Sequence, residues 1–121
     1  MLSPLQIEFH NAPPTEQVSS RIRQELAELE KFYNRLVSCR VDVEAPQHDR
    51  RAGFSKVRVD FGLPAEDAAR QAELLGARGK ERADHIEVKA HRRDPAMAVH
   101  AAFNMAHQRI VDLLRASHKG E

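Results

Sequence analysis

The stretch ELAELEKFYNRLVSCRVDVEAP, residues 25–46, changes its hydrophobic period halfway along. Leu26, Leu29, Tyr33 and Leu36 recur at spacings of three and four, which draws one apolar stripe down a helix. Val37, Cys39, Val41 and Val43 then alternate with Ser38, Arg40, Asp42 and Glu44, the mark of a strand with one buried face. Almost no turn residue separates the two patterns. The helix must therefore fold straight back over the sheet to which the strand belongs.

Working outward, Val18 and Ile22 extend the stripe toward the N-terminus, and Thr15 supplies an N-cap after the chain break NAPPT. The helix spans about five turns at ~3.6 residues per turn. Before it, Leu5, Ile7 and Phe9 alternate with Gln6, Glu8 and His10 as a first strand. Beyond Pro46, the turn-prone APQHDRRAG leads to FSKVRVDF, where Val57, Val59 and Phe61 face inward. These two strands read as a hairpin with Arg50 and Arg51 in its loop. HIEVKAH, residues 85–91, alternates once more. Asp94 before Pro95 then opens a last helix carrying Val99, Ala102, Phe103, Ala106, Ile110 and Leu113 or Leu114. Residues 65–84 lack strand alternation. Ala, Glu, Gln and Leu over 65–75 suit a short helix that Gly76 and Gly79 cut off, so the segment reads as a mobile, part-helical insertion.

The order is β-α-β-β-β-α within a single domain, residues 1–121. One-sided strands and one-stripe helices predict an α+β fold, with a four-stranded, mostly antiparallel sheet carrying two helices on one face and water on the other. The 121 residues are 41% hydrophobic and 31% charged, the balance of a soluble globular domain. No apolar run reaches membrane-spanning length, and MLSPLQIEFHN lacks the regions of a signal peptide. One cysteine, Cys39, makes no internal disulfide, which points to the cytoplasm. A formal net charge of +1 neither argues for a polyanion nor excludes one, since a docking face is local.

The segments LQIEFHN, LAELEKFYNRLVSCRVDVEAP, VRVDFGLP and DPAMAVHAAFNMAHQRIVDLL, in this order and spacing, resemble the ribosome hibernation-promoting factor and ribosome-associated inhibitor family, also called ribosomal subunit interface proteins. The resemblance covers most of the chain outside residues 65–84. It implies a double-stranded-RNA-binding-domain-like fold and a non-enzymatic factor whose partner is the small ribosomal subunit. Such a factor occupies rRNA in the channel for messenger and transfer RNA and so inhibits translation under stress or in stationary phase. Two departures stand out. The last helix has fewer Lys and Arg than is usual in the family, and the insertion is longer, bringing Arg78, Lys80 and Arg82.

A basic face over both helices is the first candidate RNA-binding site: Arg21, Arg23, Lys31 and Arg35 from one, His107, Arg109, Arg115, His118 and Lys119 from the other. Long cations on rigid backbone suit phosphate contacts, and structured RNA is recognised largely by shape. The plainer reading is an ordinary solvated helix face, which Glu25, Glu28 and Glu30 favour. Arg50 and Arg51, with Arg92 and Arg93 before the last helix, are loop cations placed to reach a partner, or simply to keep the chain soluble. Of the adjacent Phe32 and Tyr33, one lies off the stripe and is a candidate for base stacking or for a flanking core contact.

His85 and His91 share the wet face with Glu8 and His10, but no close ligand motif accompanies them and Cys39 points into the core. The expectation is therefore no metal and no cofactor. No phosphate loop, nucleophile elbow or paired carboxylate supports an enzyme or a small-molecule substrate. Two rival readings stay open, a protein-interaction module using the wet sheet face or the insertion, and a general duplex-RNA binder.

Overall fold

The computed structural model describes residues 4–45, 53–75 and 83–119, except for the side chains of residues 75 and 116–119. Seven elements follow one another: β1 (Leu5–His10), α1 (Glu16–Phe32), β2 (Ser38–Glu44), β3 (Ser55–Gly62), α2 (Ala65–Leu75), β4 (His85–Arg92) and α3 (Pro95–Lys119). The sheet runs β1-β2-β3-β4. β1 lies parallel to β2, with Ile7 beside Val41, whereas β2–β3 and β3–β4 are antiparallel. The mostly antiparallel α+β sheet expected from the period-2 runs is what forms.

Local chemistry sets the helix starts. The Thr15 side chain accepts a hydrogen bond from the Val18 N–H, and Asp94 accepts one from the Ala96 N–H at 3.0 Å, ahead of Pro95. Both satisfy amide donors that a helix leaves without partners in its first turn. α1 stops at Phe32. Tyr33 turns extended at φ −139° while its N–H still reaches the Leu29 carbonyl at 2.8 Å. Tyr33 and Leu36, the last members of the predicted stripe, thus lie past the helix end, yet both are buried. The reversal is completed where the Val37 N–H bonds the Gly62 carbonyl at 2.9 Å. Val37 itself, expected to point inward, is 54% exposed, because β2 alternation begins only at Ser38.

One core joins all layers. Ile22, Val41, Val57, Val59, Phe61, Ile86, Ala98, Val99, Ala102, Ala106 and Ile110 are fully excluded from solvent. Phe61 from β3 meets Phe103 from α3 edge-on, with ring centroids 5.6 Å apart. Such a pair adds directionality to the hydrophobic burial. α1 and α3 both place their stripes in this core, so they share one face of the sheet. No helix among the described residues is long and apolar enough to cross a membrane.

The short helix suggested over residues 65–75 is present and adds to the two expected on the sheet. Residues 65–75 of the segment read as a mobile insertion form α2, a third helix, and the order becomes β-α-β-β-α-β-α. Its anchors are polar: Asp67 and Gln71 are buried. The Gln71 amide donates to the carbonyls of Ala83 and His85 at 2.8 and 2.7 Å, and the Tyr33 hydroxyl donates to Asp67. A hydrophobic-period search does not see such anchors. Arg78, Lys80 and Arg82 lie outside the described residues.

Candidate nucleic-acid interface

The outer side of α1 is a ladder of ion pairs. Arg21 reaches Glu25 at 2.9 Å, Arg23 reaches Glu16 at 2.6 Å and Lys31 reaches Glu28 at 3.2 Å. Arg35 leaves the helix axis and pairs with Glu66 of α2, 3.8 Å from Asp67. Its guanidinium is held charged above its ordinary range by the Glu66 hydrogen bond first, then by Asp67. Arg35, expected on the first helix, lies in the turn after it, and each of the four cations picked there already faces a carboxylate of this chain. Of the interleaved acids visible in the sequence, Glu25 and Glu28 are among these partners.

On α3 the chosen residues part company. His107 lies against Phe32, ring centres 4.4 Å apart and planes tilted by 52°. Phe32 is 45% exposed and Tyr33 is buried, so the adjacent pair divides between surface and core. With Glu25, Glu28, Phe103 and Asn104, the Phe32 and His107 rings line a groove of about 250 Å³ between α1 and α3. His100, which was not picked, sits nearby with Nδ1 2.8 Å from the Glu25 carboxylate, joining the two helices. Arg109 faces the other flank of α3, beside β4. Arg115 is exposed, and the side chains of His118 and Lys119 lie outside the described residues.

A third group gathers at one pole of the sheet. The register pairs His10 with Glu44 and Ser55 with Arg92, so β1, β2 and β4 end, and β3 begins, at the same edge of the molecule. The N-termini of α1 and α3 follow β1 and β4 there. Arg92 and Arg93 are exposed at this pole. The Arg93 guanidinium lies 5.5 Å over the Phe54 ring, a cation–π contact that orients the side chain. Asn11 makes the turn out of β1 at φ 66°, a left-handed conformation that Asn tolerates better than most residues. The positive ends of two helix dipoles reinforce the charge of Arg92 and Arg93. Arg50 and Arg51 lie outside the described residues, but Ala45 and Gly53, which bracket their connection, are at this pole.

The open sheet face holds what the sequence reading missed. Asp42 alternates outward, yet it is only 9% exposed, because neighbouring side chains roof it. Arg58 donates to it at 3.1 Å, Arg40 at 3.4 Å, and His10 Nε2 lies 3.1 Å away. Burial pushes the Asp42 carboxyl up, but hydrogen bonds from His10, Arg40 and Arg58 outweigh it and hold the carboxyl down at about 2. Arg40 also reaches Glu8 at 2.6 Å, and Arg58 reaches Glu87 at 3.3 Å.

Donor atoms of Glu8, His10 and Asp42 lie within 4.8 Å of one another. A divalent ion there would have to displace two guanidiniums from these carboxylates, so the set reads as an ion-pair network. His85 and His91 share this face with His10 but stand on the opposite edge of the sheet, and His85 Nδ1 is 2.5 Å from Asp60. Outward parity was legible in the sequence. The convergence of His10, Arg40 and Arg58 on Asp42 required the register.

No protein-family profile and no curated protein matches this sequence. Solved structures do. A ribosomal subunit interface protein from Coxiella burnetii superposes with a TM-score of 0.64 at 8% identity, covering 97% of this chain and 98% of the other. The Protein Y N-terminal domain of Thermus thermophilus gives a TM-score of 0.57 at 14% identity, covering 91% and 96%. At these identities the likeness establishes a common fold.

Proposed function

We propose that this chain is a ribosome-associated factor that docks on small-subunit rRNA, in the channel for messenger and transfer RNA, and silences translation under stress or in stationary phase. The observation that carries the reading is the end-to-end match of fold, 97% of this chain on 98% of a ribosomal subunit interface protein. The segment order of the sequence supports it independently. The action is steric, in the cytoplasm, without turnover, cofactor or small-molecule substrate. Arg92 and Arg93 at the pole and Arg109 and Arg115 on α3 supply the phosphate contacts. Arg21, Arg23, Lys31 and Arg35 contribute once RNA phosphates compete with their present carboxylates. Arg50, Arg51, His107, His118 and Lys119 complete the proposed surface.

Phosphate neutralisation releases counterions, so affinity falls steeply as salt rises. Sedimentation of the protein with purified small subunits at low and high salt tests the proposal. Co-sedimentation at low salt that is lost at high salt is the expected result, and absence of co-sedimentation at low salt overturns it.

The neutralised outer side of α1 specifically favours one rival, a protein-interaction module on the same fold. Nuclease treatment separates the two, because a complex held by protein survives RNA digestion in a lysate and an rRNA-held complex does not.

A further inference from the structure

β4 is the outer strand of the sheet, pairing with β3 on one side only. Among the described residues no strand pairs with its outer side, and because the Gln71 side chain already donates to the His85 carbonyl, the unpaired edge runs over residues 86–92. Such edges are usually blunted by charge or covered, since they template pairing with another strand. Here the charges on the wet side, Glu87 and Lys89, are opposite in sign and two residues apart. That arrangement repels some registers and favours one.

Consider two copies of β4 running antiparallel. Centred on Lys89, the strands set Lys89 against Lys89, and centred on Glu87 they set Glu87 against Glu87. Centred on Val88, each Glu87 faces the other copy's Lys89. Val88 meets Val88, and Ile86 meets Ala90, on the core side. Opposite-charge and β-branched cross-strand pairs stabilise an antiparallel ladder, while like charges directly opposite destabilise it. A strand whose charges complement themselves about its own midpoint fits a two-fold partner.

α3 supplies a second observation at the same point. A groove between α3 and the β4 edge is lined by Val88, Met105, Gln108 and Arg109 with Glu87 and Lys89. Met105 is 45% exposed beside Val88, the residue on the proposed axis. In one continuous sheet the two-fold stands perpendicular to the strands, so both helical layers share a face and the two Met105 side chains close over the axis.

We infer that the β4 edge is a self-association surface, and that two copies of this chain join through antiparallel β4–β4 pairing centred on Val88 into one eight-stranded sheet. The inference is independent of the ribosome reading, because self-association and subunit binding are measured separately.

The test is analytical ultracentrifugation of the full chain from low to several hundred micromolar, with circular dichroism to confirm folding of each variant. The wild type shows a reversible monomer–dimer equilibrium. Lys89→Glu weakens it by about tenfold or more, because two attractive pairs become repulsive. Glu87→Lys combined with Lys89→Glu reverses both charges and restores dimers. Met105→Glu, which keeps Glu87 and Lys89 and instead puts a charge at the apolar contact over the axis, also weakens them. A wild type that stays monomeric throughout, a dimer indifferent to Lys89→Glu, or a folded charge-swap variant that fails to recover overturns the inference. Should the charge-swap variant lose its fold, the Met105→Glu result decides.

Discussion

The Tyr33 hydroxyl donates a hydrogen bond to the buried carboxylate of Asp67, tying the end of α1 to the first turn of α2. Arg70 reaches the other oxygen of Asp67 at 2.8 Å. Burial first, then this hydrogen bond and the charge of Asp67, push the Tyr33 phenol well above its usual range. The latch explains how a polar helix with little apolar surface is held against the domain.

Tyr33→Phe removes the donor and leaves a fully buried carboxylate oxygen short of a partner. The cost is about 1–3 kcal/mol, the penalty for an unsatisfied buried polar group. Urea denaturation measures it, and amide exchange shows where it falls, with α2 losing protection before the sheet. Unchanged protection in α2 contradicts the latch.

Asp42 makes stability depend on acid. Its folded carboxyl, at about 2, lies below the ordinary aspartate value of 3.8. A depressed carboxylate stabilises the fold above its unfolded value, and that contribution is lost as pH falls from about 4 through about 2. The expected size is on the order of 1 kcal/mol, reduced from the full shift because the Arg40 and Arg58 side chains are solvent-accessible. Stability curves of wild type and Asp42→Asn should converge over that window. Parallel curves contradict the assignment.

Cys39 sits in the core, and burial, followed by the charges of Glu30 and Asp60, pushes its thiol up to about 12. A disulfide reagent at mildly alkaline pH finds neither access nor thiolate. Labelling of the native protein should be slow and should accelerate at the denaturant midpoint. Rapid stoichiometric labelling of folded protein would contradict this placement.

Ion pairing separates Arg23 from Arg115 on the proposed RNA face. Arg23 is already held by Glu16, whereas Arg115 is exposed near the end of α3. Reversing Arg115 together with Arg109 should weaken small-subunit binding about tenfold or more and flatten its salt dependence, with the fold intact. Arg23→Glu should change binding less. Equal effects, or wild-type inhibition of translation by the double variant, remove Arg109 and Arg115 from the interface.

What the sequence determined by itself was local. Alternation at Val41 and Val43 or Val57 and Val59, the stripe through Ile22 and Leu26, and the caps Thr15 and Asp94 act over a few residues, where backbone period and first-turn hydrogen bonding decide. A sharp reversal between the first helix and the second strand followed from the lack of spacer residues, although its start at Tyr33, inside the expected helix, did not. Tertiary structure alone decided which strands became edges, that Asp42 would be roofed by Arg40, Arg58 and His10, and that α2 would dock through Asp67 and Gln71. Arg40 aside, those outcomes join residues 12 to 34 positions apart through charge and hydrogen bonds, and such pairings leave no period in the chain. The neutralised side of α1 lies between the two. Its acids are plain in the sequence, but the reach of Arg35 to Glu66 exists only once α2 is in place.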